Sequence, residues 1–393
     1  MISLIVTIIV LLILAGISIA TLSGNNGIIE KTKNAKEATE ISDEKDTIKR
    51  AIAESMGKNK YGRIEKDVLQ NQLDKTKEQI DISKIENDFE IIFKKTNRYY
   101  YVDSDGNIGE PEELIDDKNA GDISKGGILN GIDKPYEINC IEDLIAFSNM
   151  VNGEGKILKD GVIQDVDKCE SFEGKKVVLK RNLNFKSKVS YQESSRTDFG
   201  NINGIDSDDN KLITELTTGS GFIPIGQYRK DFKGDFDGLN HKIINLYEKN
   251  SGSRMGLFGC VISKNIENLY IQGNIEATSG EAVGGLCGAV RDTELKVSNC
   301  TSNINIKSKV SNTGGLIASS WTKYEITFVN CVNKGNIEIL EETSGTIGGF
   351  IGKIENNANI FNSCNLGSIV VNGQQNNITG IAGGIGTMFS RKC

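Results

Sequence analysis

The feature that most constrains this chain is a phased repeat in its C-terminal part. A four-residue unit recurs: aliphatic or Phe, any residue, Asn, then Leu, Cys or Ser. It reads IINL at 243–246, IENL at 266–269, VSNC at 297–300, FVNC at 328–331 and IFNS at 360–363. Its asparagines, Asn245, Asn268, Asn299, Asn330 and Asn362, are separated by 23, 31, 31 and 32 residues. Seven residues after the last four stand Ile275, Ile306, Ile337 and Ile369. A glycine cluster then closes each unit: GGLCG at 284–288, GGLIA at 314–318, GGFIG at 348–352 and GGIG at 383–386, with GLFG at 256–259 beginning the series.

A fixed period of this length means a stacked architecture, because one unit cannot bury its apolar face alone. The units hold short alternating runs such as NIEAT, NINIKS and NIEIL, not amphipathic helices, which selects a β-solenoid. Ile275, Ile306, Ile337 and Ile369 then stack as an internal apolar ladder. The asparagines stack at a turn, each amide bonding the next, as in other in-register parallel β-structures. The glycines supply positive φ or close backbone approach. Glycine, at 43 of 393 residues, exceeds its usual share of about 7 %, in keeping with many tight turns.

Cys300 and Cys331 directly follow ladder asparagines, where Leu246 and Leu269 stand in earlier units, and Cys364 sits one place later. Cysteine replacing leucine in phase reads as a small buried hydrophobe. Free thiols are therefore expected, although stacked coils about 4.7–4.9 Å apart leave a bridge geometrically open. None of the eight cysteines forms a C-x-x-C pair, so no zinc site is expected.

Residues Ile2 to Leu22 carry no charge. A helix of that length spans roughly 30 Å, a bilayer core, so residues 2–22 are expected to cross the membrane. SGNNG at 23–27 breaks this run, and a second helical stretch follows to about Met56, with Ile41, Ile48, Ala51, Ile52 and Ser55 as a thin apolar stripe. This reads as a mostly solvated helix lying on a small domain. IEKDVLQNQLDKT predicts a further helix, FEIIF and YYYV predict strands, and DSDGN at 103–107 predicts an Asx/Gly turn rather than a calcium loop, which needs more oxygens and a late bidentate Glu. The acidic, Gly-rich stretch at 109–135 reads as a linker.

Two resemblances sharpen this outline. The segment ISLIVTIIVLLILAGISI, followed by GNNGIIEKTKNAKEA, resembles the N-terminus of type IV pilin-like proteins of clostridia and their relatives. The resemblance implies export, a membrane-held helix and a small head of a helix and a few strands. Val6 stands where that family usually has the Glu used in filament assembly, which favours a tether over a pilus subunit; a minor filament subunit is the alternative. FKGDFDGLNHKIINLY at 232–247, MGLFG and VGGLCG, with PYEINCIEDLIAFSNMVN, VVLKRNLNF and GFIPIG upstream, resemble the GLUG-type repeat modules of bacterial adhesins and IgA-protease-like surface proteins. That resemblance spans about 135–390 and implies a right-handed parallel β-helix similar to pectin lyases. IEDLIAFSNMVN, with Ile141, Leu144, Ile145 and Val151 on one face, is expected to cap the solenoid's N-terminal end, as repeat folds require. The final GGIGTMFSRKC reads as a coil without a cap.

β-Helices also host polysaccharide-degrading enzymes, which need paired carboxylates or a carboxylate-bound calcium. The candidates are Asp231, Asp235 and Asp237, and a cluster of Asp198, Asp206, Asp208 and Asp209 in one loop. Asp237-Gly238 reads more simply as a turn before KIINL, and the second cluster as a solvated insertion. His241 has no Cys or His partner and reads as a surface residue. No catalytic, cofactor-binding or metal-binding residue is therefore expected, and no cofactor. The mildly acidic balance, 46 basic against 53 acidic residues, argues against a nucleic-acid partner.

The sequence thus predicts a mainly β protein. Residues 1–22 form an anchor helix, 23–108 a helical stalk with a small pilin-like α/β head, 109–135 a linker and 136–393 the right-handed parallel β-helix. The expected role is that of an adhesin-like module outside the cell, binding a glycan or a surface protein of a host or neighbouring cell.

Overall fold

The computed structural model describes residues 28–113 except 59, 77–78 and 86–87; 135–190 except 160–161 and 188–189; then 218–340, 345–372, 378–382 and 385–388. The proposed membrane span at 2–22 and the four-aspartate loop at 198–209 lie outside the described residues. No helix among the described residues is long and apolar enough to cross a membrane. The chain divides into two compact units, 1–114 and 115–393.

In the first unit, helix α1 (Ile28–Lys58) and helix α2 (Lys66–Leu73) accompany an antiparallel sheet of β1 (Ile80–Ile85), β2 (Asp88–Phe93), β3 (Arg98–Val102) and β4 (Glu112–Glu113), in that order. Ile48, Ala51 and Ile52 of the apolar stripe pack with Leu69, Leu73, Phe89, Ile91 and Tyr100, while residues 31–39 are wholly exposed. Beside this core Glu44 is buried and accepts bonds from Arg98 Nε at 3.0 Å, Arg98 Nη2 at 3.1 Å and the Tyr100 and Thr96 hydroxyls. Burial pushes the Glu44 carboxyl up, but these donors together hold it below the ordinary value. β1 has no strong alternation in sequence, and Glu112–Glu113, read as linker, instead extends the sheet beside Arg98 and Tyr99. The Asp103 turn closes as expected: its Oδ1 accepts the N–H groups of Asp105 and Asn107 at 3.0 and 2.8 Å.

The second unit is a parallel β-solenoid of about four turns. A representative coil runs Leu295–Ser298, a turn at Asn299, Thr301–Ser308, Asn312–Gly314, a Gly-Gly corner, and Ile317–Trp321. These strands belong to four parallel sheets whose neighbours are the equivalent strands one coil earlier and later. In the second strand Ser302, Ile304, Ile306 and Ser308 are buried, whereas Thr301, Asn303, Asn305 and Lys307 face outward. The alternation follows from the two-residue period of a strand.

Register confirms the isoleucine column: Ile275 pairs with Ile306, Ile306 with Ile337, and Ile337 with Ile369. Its preceding member is Glu248, opposite Ile275. The glycine corners pair likewise, Gly284 with Gly314 and Gly314 with Gly348. Gly315 shows why no side chain fits there: a Cβ would stand 2.2 Å from the Gly349 carbonyl oxygen and 2.3 Å from Asn333 Nδ2.

The asparagine ladder is real but begins elsewhere. Asn330 donates to Asn299 Oδ1 at 3.0 Å, Asn299 to Asn268 Oδ1 at 2.9 Å, and Asn268 to Asp237 Oδ1 at 2.9 Å. The three asparagines hold φ of 55, 53 and 54°, the left-handed turn conformation that Asn tolerates. Asn245 is not a rung. It lies within the strand Lys242–Lys249 and donates to Asn184, and Leu246 pairs with Gly273 rather than preceding Leu269 in phase. The 23-residue spacing was therefore a false first period, and Asp237 holds the true position.

Cys300 and Cys331 are buried as small hydrophobes, and burial pushes both thiols up. Cys364 is exposed, because the 32-residue step places it beside Val332 in an outward column. None of the seven described cysteines is in a disulfide.

The helix expected at 141–152 forms as α3 (Ile141–Asn152), after the solenoid strand Tyr136–Ile138. All twelve residues are buried, not one face. Phe147 packs edge-on against Phe172 and Phe232, at 5.0 and 5.4 Å between centroids. The polar side is met by backbone: Ser148 Oγ donates to Ile223 O at 2.8 Å, and Asn152 Nδ2 to Pro224 O at 2.9 Å.

Candidate functional site

The expected carboxylate candidates resolve into separate structural roles. Asp237 Oδ2 takes Lys176 Nζ at 2.8 Å, and Oδ1 accepts Leu239 N–H at 2.9 Å besides Asn268. Burial pushes its carboxyl up, but Lys176, Asn268 and the Leu239 amide outweigh this and hold it below the ordinary value. Asp235 accepts the N–H groups of Lys264 and Asn265 and the Asn265 side chain. Asp231 pairs with Arg291 Nη1 at 3.1 and 3.2 Å. His241 is half-buried at the turn; its backbone N–H donates to Gly238 O at 2.8 Å. Among the described residues no three His, Cys, Asp or Glu side chains form a metal-sized group.

The structure gathers a different set of residues on the outer side of the solenoid. Residues 221–233 fold over the first strands of the third and fourth sheets. Ile225 bridges Phe258 and Phe232 bridges Val261, both in parallel sense, and the Phe232 and Phe258 rings stack at 5.5 Å. Between these anchors Gln227 and Lys230 exchange two backbone hydrogen bonds, leaving Tyr228 and Arg229 at the tip of a two-residue turn. Arg229 holds φ of 66°. A non-glycine residue there is uncommon, and such strain clusters at functional sites.

Tyr228, 49 % exposed, is surrounded by guanidinium groups: Arg254 at 4.8 Å, Arg291 at 5.1 Å and Arg229 at 5.2 Å from its ring centroid. Arg254 also lies 4.5 Å from the centroid of Trp321, the only tryptophan of the chain. It is thus held between two aromatic faces, each such contact worth about 0.5–2 kcal/mol. Its Nη2 binds Glu281 at 2.6 Å. Arg291 and Trp321 pair across adjacent strands of the fourth sheet. Burial raises the Asp231 carboxyl despite Arg291, and pushes the neighbouring Cys260 thiol up to about 12.

Arg254 and Arg291 are therefore neutralised by Glu281 and Asp231. No ion pair holds Arg229 among the described residues. The result is an exposed aromatic ring with an exposed guanidinium beside it, on a turn pinned at both ends. Stacked aromatic faces and a guanidinium fork suit flat apolar sugar faces and hydroxyl or carboxylate oxygens. Sequence reading missed this set because its members come from coil positions with no common period. Tyr228 and Arg229 lie outside the repeat altogether.

A second outward feature lies on the second sheet. Asn305 pairs with Asn274, and its Oδ1 accepts Asn336 N–H at 3.1 Å; Asn336 Oδ1 accepts the Ser368 N–H and hydroxyl at 2.9 and 2.8 Å. The neighbouring column alternates in charge, Lys249 to Glu276 at 3.0 Å and Lys307 to Glu338 at 3.6 Å. These side chains bond mainly to each other.

No protein-family model matches the chain, and no curated protein matches it. Among solved structures, a Bacteroides ovatus protein named as a candidate immunoglobulin A1 protease is similar at 15 % identity and a TM-score of 0.34, over 67 % of this chain and 88 % of that one.

Proposed function

We propose that this chain is a membrane-anchored cell-surface protein whose solenoid is an adhesin-like binding module for a glycan. The observation that carries the reading is the outward cluster of Tyr228, Arg229, Arg254 and Trp321. It offers a partly exposed ring, a guanidinium with no ion pair among the described residues and a rigid mount. Asp231, Asp235 and Asp237 are each engaged in turns or ion pairs, which supports binding without turnover at these three. The uncharged run at 2–22 supports display from a membrane, with the solenoid outside the cell.

The test uses the full chain in detergent on a glycan array, with a parallel assay for released product. Saturable binding is expected, weakened about tenfold or more by Tyr228→Ala and by Arg229→Ala at unchanged melting temperature. Release of shortened saccharide from any bound glycan would overturn the reading in favour of an enzyme. Binding that survives both substitutions would remove this cluster as the site.

A further inference from the structure

We infer that the Tyr228–Arg229 turn selects an acidic saccharide, with Arg229 gripping the carboxylate of a sugar acid. The inference rests on the glycan reading above and narrows its ligand class. Five cations stand on or beside this turn: Arg229, Lys230, Lys233, Arg254 and Arg291. Four of them already hold a carboxylate. Lys230 Nζ reaches Glu154 at 3.4 Å, Lys233 Nζ reaches Glu173 at 3.1 Å, Arg254 Nη2 reaches Glu281 at 2.6 Å and Arg291 Nη1 reaches Asp231 at 3.1 Å. Arg229 is exposed and has no carboxylate partner among the described residues.

The turn holds Arg229 in place before any ligand arrives. Gln227 and Lys230 exchange backbone hydrogen bonds at 3.0 and 2.8 Å across it. Its guanidinium carbon lies 5.2 Å from the centroid of the Tyr228 ring. A cation–π contact of this kind occupies no N–H, so the planar fork keeps its donors for a ligand. A fork already positioned loses less freedom on binding. The backbone, at φ of 66°, is strained for a residue with a Cβ. Glycine would take the same conformation without that cost. The side chain is therefore what Arg229 supplies, not the turn geometry.

The hydrogen-bonding inventory selects the ligand group. Around Tyr228 stand three guanidinium groups, and a guanidinium donates only. Arg254 Nε, shielded from solvent, has no acceptor among the described residues. The nearby acceptors Asp231 and Glu281 are engaged by Arg291 and Arg254. The cluster is thus rich in donors and short of acceptors. A sugar hydroxyl brings a donor with its acceptor, whereas a carboxylate brings acceptors alone. Its two oxygens match the guanidinium fork, in charge-assisted bonds roughly twice as strong as neutral ones. By contrast, Lys249 and Lys307 on the second sheet are paired with Glu276 and Glu338.

The test uses matched saccharides on one array. These are uronic- and sialic-acid-bearing glycans, the same glycans with each carboxylate reduced to the alcohol, and sulfated counterparts of the reduced set. The full chain in detergent should bind the acids about tenfold or more tighter than their reduced partners. Arg229→Gly, which suits the left-handed turn, should bring that ratio close to one at undiminished melting temperature. Arg229→Lys should restore only part of it, since an ammonium keeps the charge but lacks the fork. Equal binding of acids and reduced partners would overturn the inference and leave the glycan reading standing. So would a preference for the sulfated set, or an acid preference that persists in Arg229→Gly. Binding of no saccharide at all would sink the glycan reading, and this narrower inference with it.

Discussion

The first and last described coils of the solenoid are covered differently. At one end α3 covers the first coil, and every one of its residues, polar ones included, is buried. At the other, Ile360 and Ile369 belong to the same apolar columns as buried residues one coil earlier, yet they stand partly exposed. A stacked fold buries each coil with its neighbours, so a terminal coil keeps half its contacts unless something else supplies them. The difference teaches that the repeat specifies the interior, whereas the cover over the first coil comes from residues outside the repeat.

The largest expected effect sets the ends against each other directly. Phe147→Ala removes a fully buried ring from the closed end and should cost about 3–5 kcal/mol, read by chemical denaturation. Ile360→Ala in the last described coil should cost about 1 kcal/mol or less, because that side chain is already partly in water. Equal losses would break the contrast.

Next is Glu248, which occupies the isoleucine column without any exposure. Its Oε2 accepts Ser251 Oγ at 3.0 Å and the Gly256 N–H at 3.2 Å, while Oε1 has no partner among the described residues. Burial raises its carboxyl from 4.5 to about 8. The folded chain thus holds a proton that the unfolded chain has lost between those values. Stability from this site is greatest below pH 4.5, falls as pH rises towards 8 and is flat above. Glu248→Gln should flatten that slope, which amounts to a few kcal/mol, in denaturation curves taken from pH 5 to 8.

Smaller effects probe the ladders. Asn299→Gly keeps the left-handed turn available but removes the bonds to Asn268 and Asn330, and should cost about 1 kcal/mol. Asn299→Ala should cost more, since alanine also resists φ of 53°. Lys307→Ala deletes one exposed pair with Glu338 and should change stability by about 0.5 kcal/mol or less. A loss as large as that of Asn299→Gly would mean that the charged column is itself structural.

Much of the interior was legible in the sequence, because in-register stacking repeats the same burial at each period. Ile306, Ile337, Asn299 and Gly314 fall where their spacing puts them. The errors came where letters agree but coils do not. Asn245 carries the same IxNL signature as Asn268, yet only the 31-residue step back to Asp237 finds the rung, and there the residue is an acid. Cys364 looked like its predecessors until one added residue turned it outward. The burial of α3 was hidden because its polar side is met by backbone at Ile223 and Pro224, more than 70 residues away. The binding candidate at Tyr228 was illegible for a related reason: it is assembled by an insertion folding back on the coils.

Hydrogen exchange along the full chain tests the contrast between the first and last described coils most directly. The amides of 141–152 and 176–179 should exchange far more slowly than those of 358–361 and 369–371. Equal protection of the two sets would contradict the account.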